Sequence, residues 1–596
     1  MCGISGIISH KTLSKENIFD SLKAMKHRGP DDTMLFDGDS KVQYSTRISS
    51  EYSKQNFPPI TEEQKSTKWF GFNRLTIIDQ SHHGMQPYYD KERELLFMMN
   101  GEIYNYLSLK EQYLSQYSFF SNSDAEVGMK LFIEKGEEFV QYMRGMFAIA
   151  IYDFKNNELK LFRDRFGIKP IYYSQTKDYF LFASEIGGIL KTNLISKQLN
   201  KEALAYAMYL GTTPAPLTLY KDINILQPGY YLSYNFKSNT KIQKPYWVLK
   251  YNQINSKKTN NELFKTSLTS ITSLYNTDEV KTAISLSGGL DSGILAKYLK
   301  NHNTYIKAIH ISEPSEQELE YTHLNAKNAD IDLIYDEFIF DKNRELDYYM
   351  LEEEPNFILE PNWVLSKMAH DQGFKVVYNA LGPDELFGGY DYFKRACLWI
   401  FFKRIKYIFP TFLMPKKWQK KIKQVNKFGI GTYGILSRNI FSWDEISDLF
   451  QKNYFELPQI HPIDFIEKQI LDIYPEYKDL DDIRQLSYQE FFYYISSHHA
   501  IRNDRPSLLN SVEMRFPFLD HKFVEEYYNQ KDLYHNLCFK TKPLFKKLIK
   551  NEINPKVMVM KKRGFTIQYD MDKQQQKKWY LKSLKILFPE IIVSLH

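Results

Sequence analysis

The chain has 596 residues, a net charge of +6, 25% charged residues and 43% hydrophobic residues. This length predicts about two to four domains, and the modest charge gives no reason to expect nucleic acid as a partner. The three cysteines, Cys2, Cys397 and Cys538, are too few for a disulfide framework and lack the spacing of a zinc site. We therefore expect a reducing, cytoplasmic setting.

The N-terminal sequence indicates a reactive cysteine rather than a signal peptide. Its apolar run is too short and lacks the basic flank of a signal peptide, and the chain has no uninterrupted apolar stretch of about 18 residues, so we expect no membrane-spanning helix. Removal of Met1 would make Cys2 the N-terminal residue. Its α-amino group, with a pKa of about 8, could then act as the base for its own thiol. The alternative is a small buried residue at the start of a strand.

Short apolar runs and Gly, Asn or Asp turns alternate through residues 1–240. In chain order they predict a turn at 25–32, a strand at 71–79 that carries Arg74, and a strand at 98–105 that breaks into a turn at Asn100 and Gly101. A loop then enters a helix near Asp124, followed by a buried strand at 145–153 and a strand and turn at 161–170. Many short strands of this kind indicate an α+β domain of stacked sheets.

A polar stretch separates this first domain from the rest of the chain. Residues 252–261 are rich in Lys, Asn and Ser, and we place the linker at 241–260. The second domain then occupies residues 261–596.

The second domain opens with a glycine-rich loop at 285–293, between an apolar strand at 281–286 and a helix at 294–300. Free N–H groups in a strand-to-helix turn favour an anion. The loop lacks the Walker A lysine but offers two hydroxyls, Ser287 and Ser292, and one carboxylate, Asp291. These residues suit Mg²⁺ on a pyrophosphate, and hence ATP cleavage between the α- and β-phosphates. An ordinary glycine-rich turn is the alternative.

Strands and helices alternate after this loop, with a strand at 304–312, a helix at 316–328 and a strand, loop and helix at 375–390. This alternation predicts an α/β domain with a doubly wound parallel sheet, which binds ligands at the carboxyl ends of its strands. The segments 287–292 and 382–389 both occupy such ends, so we expect them to face one pocket.

A basic and aromatic insertion lies near 397–425. Residues 399–423 contain eight Lys and Arg and no Asp or Glu. We favour a helical insertion with a basic outer face over a segment that rests on an anionic membrane surface.

Several motifs together resemble a known family. Cys2-Gly3-Ile4, residues 27–31, Arg74-Leu75, residues 100–105 and Ser123-Asp124 resemble the glutaminase domain of the class II, N-terminal-nucleophile amidotransferases. Residues 287–292 resemble the pyrophosphate loop of asparagine synthetase. The order of the two domains is that of the glutamine-hydrolysing asparagine synthetases, over nearly the whole chain. The resemblance implies an N-terminal-nucleophile glutaminase fold followed by an ATP-pyrophosphatase-type synthetase domain.

The resemblance also implies roles for the residues of the first domain. Cys2 would attack the side-chain amide of glutamine, and Asn100 with Gly101 would form the oxyanion hole. Arg74 would clamp the α-carboxylate of glutamine, a bidentate task that suits guanidinium. Two carboxylates would hold its α-ammonium group: Glu102 and Asp124. A surface salt bridge for Arg74 and a plain helix cap for Asp124 are the alternatives.

In the second domain the resemblance implies an ATP site and a Mg²⁺ site. Lys562 would lie near the β- and γ-phosphates, unless it belongs to a solvated basic face, and Asp291 with Asp384 would hold Mg²⁺. The pair Glu513 and Arg515 is more in keeping with a structural ion pair than with catalysis. The residues that would bind ATP are Leu286, Ser287, Gly288, Gly289, Asp291, Ser292, Gly382 and Lys562.

One position departs from the family pattern. Leu381 stands where asparagine synthetases carry a Glu that is thought to line the acceptor and ammonia site. The leading prediction is still glutamine-dependent synthesis of asparagine from aspartate with ATP, and the family suggests a homodimer. The alternative is the same chemistry on another carboxylate, such as a surface polysaccharide sugar or a peptide. A non-catalytic binding or regulatory protein is a third reading, disfavoured because the motif residues are all in place.

Overall fold

A computed structural model describes residues 2–252, 260–312, 316–337, 354–355, 359–405, 416–560 and 573–592. Lys562 and part of the basic insertion lie outside these residues. Within them, no helix combines the length and the apolar character that crossing a membrane requires.

The first half forms two antiparallel sheets. A seven-stranded sheet has the order β11-β9-β10-β1-β4-β2-β3, and a six-stranded sheet has the order β13-β12-β8-β7-β6-β5. The strands are β1 (Gly3–Ser14), β2 (Asp32–Asp37), β3 (Val42–Ser45), β4 (Lys65–Arg74), β5 (Tyr88–Asp90), β6 (Leu95–Ile103), β7 (Gly145–Asp153), β8 (Glu158–Arg163), β9 (Tyr172–Gln175), β10 (Tyr179–Ala183), β11 (Asn224–Ile225), β12 (Tyr230–Asn235) and β13 (Thr240–Pro245).

Helices cover the outer faces of the two sheets. The helices of this half are α1 (Lys15–Ala24), α2 (Glu51–Asn56), α3 (Tyr106–Tyr113), α4 (Asp124–Lys135), α5 (Phe139–Tyr142), α6 (Ile186–Leu190) and α7 (Lys201–Leu210). Ser14 and Ser123 are the N-cap residues of α1 and α4, and each side chain accepts a hydrogen bond from a backbone N–H of the first turn. The sheets pack face to face through a shared apolar cluster, and α3, α4 and α5 pack on the outer face of the six-stranded sheet. The predicted α+β stacked-sheet domain is confirmed.

Three details differ from the sequence-based expectations. The strand that carries Arg74 ends at that residue rather than continuing to 79. Asn100 and Gly101 do not form a turn, because β6 continues through them to Ile103 and Gly101 pairs with Phe147 of β7. The pairing across a long strand overrides the turn preference of Asn-Gly. Finally, β13 pairs with β12 within the stretch that we expected to be linker.

The second half is built on a five-stranded parallel sheet with the order β16-β15-β14-β17-β18. Its strands are β14 (Thr282–Ser285), β15 (Lys307–Ser312), β16 (Leu333–Glu337), β17 (Val376–Tyr378) and β18 (Glu513–Arg515). Strands buried on both faces read as continuous apolar runs, which is the pattern of β14 and β17. The predicted α/β sheet is confirmed.

Helices surround this sheet and continue beyond it. They are α8 (Asn261–Tyr275), α9 (Leu290–Lys300), α10 (Glu316–Ala329), α11 (Leu359–Asp371), α12 (Pro383–Phe387), α13 (Asp391–Ile405), α14 (Lys416–Phe428), α15 (Tyr433–Arg438), α16 (Trp443–Lys452), α17 (Pro462–Ile473), α18 (Asp482–Gln489), α19 (Ala500–Leu509), α20 (His521–Tyr528), α21 (Pro543–Ile549), α22 (Pro555–Val559) and α23 (Lys573–Leu587). A π-helix over Glu490–His499 joins α18 to α19.

The two halves share one hydrophobic core. A single apolar cluster includes residues of α1 and α7 from the first half and residues of β14, α9 and α19 from the second. A buried set of charges crosses the same interface. Arg28 contacts Glu185 and Asp504, each at 2.8 Å, and Lys169 contacts Asp504 at 3.0 Å.

Candidate active site

Cys2 lies between the two sheets of the first half. It directly precedes β1 of the seven-stranded sheet and donates its backbone N–H to Asn100 Oδ1, on β6 of the other sheet, at 3.0 Å. The thiol is buried and lies 4.0 Å from the carbonyl oxygen of Leu75. Burial raises the pKa of the Cys2 thiol. The thiol therefore needs a nearby base, or a positive charge, to become a thiolate.

The side-chain amide of Asn100 offers an unused donor beside this thiol. Its oxygen accepts the N–H of Cys2, but its buried Nδ2 has no hydrogen-bond partner among the described residues. A buried donor without an acceptor costs about 1–3 kcal/mol. Such a donor is what an oxyanion hole requires, because its acceptor is a charge that develops only during the reaction.

Gly101 has a backbone that other residues cannot adopt without strain. Its φ is +148°, and a Cβ atom there would lie 2.1 Å from the carbonyl oxygen of Met146 on β7. Only glycine lets β6 and β7 approach this closely next to Asn100.

Arg74 ends β4, which pairs with β1 directly beside Cys2. Its guanidinium donates to the carbonyl oxygen of Ser81 at 2.6 Å and to that of Asp79. These carbonyl groups fix the side chain, which is buried, so its position does not depend on a bound ligand.

Glu102 and Asp124 are both buried and lie close together. Asp124 begins α4 and accepts the backbone N–H of Ile103 at 2.7 Å; burial raises the pKa of Asp124 to about 6. Glu102 Oε1 lies 3.4 Å from Arg515 Nη2 of the second half, whereas Glu102 Oε2 accepts no hydrogen bond from any residue in the described part of the chain. Burial raises the pKa of Glu102 well above its usual value, and the neighbouring Glu513 adds to this effect.

The second site begins at the loop between β14 and α9. Ser287 Oγ and Ser292 Oγ lie 2.9 Å apart, and these hydroxyls accept the N–H groups of Gly289 and Ser287, each at 3.1 Å. Asn325 of α10 donates to the carbonyl oxygens of Ser287 and Gly289, each at 2.9 Å. Asn325 thus fixes the loop through its carbonyl groups, while the hydroxyls of the loop accept hydrogen bonds from its own N–H groups.

Asp291 and Asp384 converge on a common cation. Lys542 contacts Asp291 and lies 2.6 Å from Asp384 Oδ1. Burial alone would lower the pKa of Lys542, but the two carboxylates outweigh it and raise the pKa. Their convergence on one positive charge fits the predicted Mg²⁺ site, since Mg²⁺ uses one or two carboxylates and completes its shell with water and substrate phosphates. Within the described ranges, no cluster of three or more His, Cys, Asp or Glu side chains forms a preformed metal site.

These residues line a cavity of about 350 Å³. Its wall contains Leu381 together with residues that the sequence did not single out: Asn362, Tyr494, His498, His499, Arg502 and Lys542. The predicted residues that line it are Ser287, Gly288, Gly289, Asp291, Ser292 and Asp384. Leu286 and Gly382 are not on its wall. Leu286 is buried and its carbonyl oxygen contacts His310 Nδ1 at 2.8 Å, and Gly382 precedes α12 with a φ of +121°.

Lys542 is a candidate functional residue that the sequence analysis did not single out. It lies among several lysines of the C-terminal region, and only its contact with residues far away in the chain sets it apart. The predicted Lys562 lies outside the described residues, so its role remains a prediction.

Comparison with known proteins agrees with this two-part layout. A family model described as a glutamine amidotransferase domain matches residues 60–247, and one described as asparagine synthase matches residues 270–586. The second match covers more than half of the chain. The chain belongs to the asparagine synthase family.

Relatives of this asparagine synthase family member carry names for more than one activity. Asparagine synthetase (glutamine-hydrolysing) 2 of Bacillus subtilis is 28% identical over 88% of this chain, and the match spans 66% of that relative. Asparagine synthetase 1 of the same organism is 25% identical over 95% of this chain and 87% of that relative. Amidase chry2 of Gibberella zeae is 24% identical over 95% of this chain and 88% of that relative. The family membership thus leaves more than one reaction open.

Proposed function

We propose that this protein is a glutamine-dependent amidotransferase that converts aspartate to asparagine. Cys2, freed of Met1, attacks the amide carbon of glutamine while its α-amino group takes the thiol proton. The C–N bond then breaks, the proton leaves with ammonia, and water hydrolyses the resulting glutamyl thioester to glutamate and the free thiol. Arg74 holds the α-carboxylate of glutamine, while Glu102 and Asp124 hold its α-ammonium group. Ammonia released there passes through the molecule to the second site.

At the second site, ATP activates the carboxylate of the acceptor as an acyl-adenylate, with pyrophosphate as the leaving group. The hydroxyls of Ser287 and Ser292 and the N–H groups of their loop bind phosphate oxygens. Mg²⁺ held by Asp291 and Asp384 would supply positive charge to the departing pyrophosphate. Lys542 adds a second cation at the same place, and ammonia then displaces AMP to give the amide.

The observation that carries the proposal is the buried amide of Asn100. Its oxygen holds Cys2 and its Nδ2 has no acceptor among the described residues. Because such a donor lowers stability unless a ligand accepts from it, its place beside a thiol supports hydrolysis of an amide.

A second acceptor class is favoured by one observation. Leu381 lines the cavity at the position where the family Glu is expected, so no carboxylate at that position orients ammonia. The same chemistry on a larger carboxylate is therefore the second candidate, and the amidase-named relative supports it.

The test measures glutamate, pyrophosphate and asparagine made by the purified protein with Mg²⁺-ATP and glutamine, with and without aspartate. We expect aspartate to stimulate pyrophosphate release, and the Cys2→Ala variant to make asparagine only from ammonia. Glutamate release without aspartate-dependent pyrophosphate would refute aspartate as the acceptor and retain the glutaminase. Absence of glutamate release would refute the glutaminase itself.

A further inference from the structure

The glutaminase pocket contains a residue from the other domain. Arg515 ends β18 of the synthetase sheet and is almost completely buried. Its guanidinium reaches across the domain interface to Glu102 Oε1 at 3.4 Å. The sequence suggested only a structural pair between Arg515 and Glu513. That pair exists, with Nε donating to Glu513 Oε1 at 2.7 Å. The two terminal nitrogens of the guanidinium, Nη1 and Nη2, make other contacts.

The other contacts of Arg515 fix it in place. Nη1 donates to the carbonyl oxygen of Tyr275, at the end of α8, at 2.9 Å. The ring of Tyr275 stacks on that of Tyr104, with centroids 3.8 Å apart, and the guanidinium lies 5.3 Å from the Tyr104 ring. A guanidinium held by a backbone acceptor and packed near an aromatic ring is pre-organised and loses little freedom when it binds a carboxylate.

Glu102 depends on this partner. It is buried beside two further acidic groups, Asp124 and Glu513, and both raise the pKa of Glu102 in the same direction as burial does. Of the charges around Glu102, Arg515 is the cation that opposes this effect most directly. A carboxylate attracts an ammonium group only when it is ionised, and Glu102 Oε2 is the oxygen left without a described hydrogen-bond donor.

We propose that Arg515 of the synthetase domain is a positioning residue of the glutaminase site, which orients Glu102 and favours its ionised form when the α-ammonium group of glutamine binds. The inference rests on the proposed hydrolysis of glutamine and adds that the glutamine pocket is incomplete without the second domain. Arg515 does not touch the scissile amide. It therefore acts on the affinity for glutamine rather than on the chemical step.

The test compares glutamine with glutaramate, the same molecule without the α-amino group, as substrates for hydrolysis by the full chain without ATP. In Arg515→Met the KM for glutamine should rise about tenfold or more, since a charge-assisted contact is lost. The kcat for glutamine and the kcat/KM for glutaramate should stay unchanged. Arg515→Lys, which retains the charge, should recover part of the preference for glutamine.

Two further variants keep the test decisive. Arg515→Met removes the guanidinium that donates to the buried Glu513, so the double variant Glu513→Gln with Arg515→Met replaces both charges and should show the same shift in KM. Arg144→Met is the matched control, because Arg144 also crosses the interface, to Asp520 at 2.8 Å, but does not contact Glu102. It should retain the full preference for glutamine.

The outcomes separate the inference from the proposed function. Suppose that the wild-type protein hydrolyses glutamine and that kcat/KM falls by the same factor for glutamine and glutaramate in the Arg515 variants. Arg515 is then structural and the inference is wrong. An unchanged KM for glutamine in Arg515→Met, or a wild type that does not prefer glutamine, also overturns it while hydrolysis stands. A wild type that does not hydrolyse glutamine overturns both.

Discussion

Replacement of Asn100 tests the glutaminase site most directly. Asn100→Leu removes both the oxygen that accepts from Cys2 N at 3.0 Å and the buried Nδ2 donor. Loss of one oxyanion donor lowers kcat by about 10²–10³-fold, or about 2.7–4 kcal/mol of transition-state stabilisation. We expect a fall of at least this size in glutamine hydrolysis, with a much smaller change in KM.

The same substitution should cost little stability. It removes a donor that costs about 1–3 kcal/mol while unpaired, and it gives up one hydrogen bond worth about 0.5–1.5 kcal/mol. It also leaves the N–H of Cys2 without its acceptor, so the opposing contributions nearly cancel. We therefore expect the free energy of unfolding, measured in urea, to stay close to that of the wild type.

Two variants distinguish the donor from its surroundings. Asn100→Asp keeps an oxygen that can face Cys2 but loses the donor, and should lower kcat as strongly as Asn100→Leu. Gln86→Leu removes a neighbouring buried amide whose hydrogen bonds, among the described residues, go to the backbone of Met99 at 2.7 and 3.3 Å, and should retain kcat. Full activity in Asn100→Asp, or an equal loss in Gln86→Leu, would refute the oxyanion role of Asn100.

Three further predictions concern the fold and the second site. Gly101→Ala should lower the free energy of unfolding by about 3 kcal/mol or more, because its Cβ would lie 2.1 Å from a carbonyl oxygen of the facing strand; a stable variant in urea titration would contradict the strain argument. Asp504→Asn leaves two buried cations with less counter-charge and should cost about 3–5 kcal/mol at pH 7. Burial alone would raise the pKa of Asp504, but the neighbouring cations outweigh it and lower the pKa. Its stabilising effect is thus complete above about pH 4 and lost as the pH falls further, so unfolding curves of wild type and variant should converge in acid. Lys542→Met should weaken binding of Mg²⁺-ATP by about tenfold or more in calorimetric titration, whereas Lys546→Met, on the same cavity wall, should bind it more nearly as the wild type does; the reverse order would contradict the role of Lys542.

Local patterns in the sequence predicted the two fold classes and supplied the candidate residues of both sites. Cys2, Arg74 and the loop at 287–292 stand in short motifs whose meaning depends on neighbouring residues, and the structure brings them next to their predicted companions. Asn-Gly at 100–101 predicted a turn, but its conformation is decided by pairing with Ala148 and Phe147 of β7, which are distant in the chain.

The contacts of Lys542 and Arg515 could not be predicted from local pattern. Lys542 meets Asp291 across 251 residues of chain, and Arg515 meets Glu102 across the domain interface. Neither contact produces a pattern in the spacing or periodicity of nearby residues in the sequence. A lysine among lysines and an arginine beside a glutamate read as surface charge or a local pair until the fold brings distant residues together.

The buried ion pairs around Asp504 also make the two halves of the chain depend on each other. Arg28 divides its guanidinium between Glu185 of its own half and Asp504 of the other, and its Nε lies 3.4 Å from the carbonyl oxygen of Cys2 itself. Pulling the halves apart would strip Arg28 of one counter-charge and expose the apolar cluster that they share. Arg28 thus links the backbone of Cys2 to Asp504 of the second half. We therefore expect the first half, expressed without the second, to lose both a counter-charge of Arg28 and the apolar cover that keeps the surroundings of Cys2 in place.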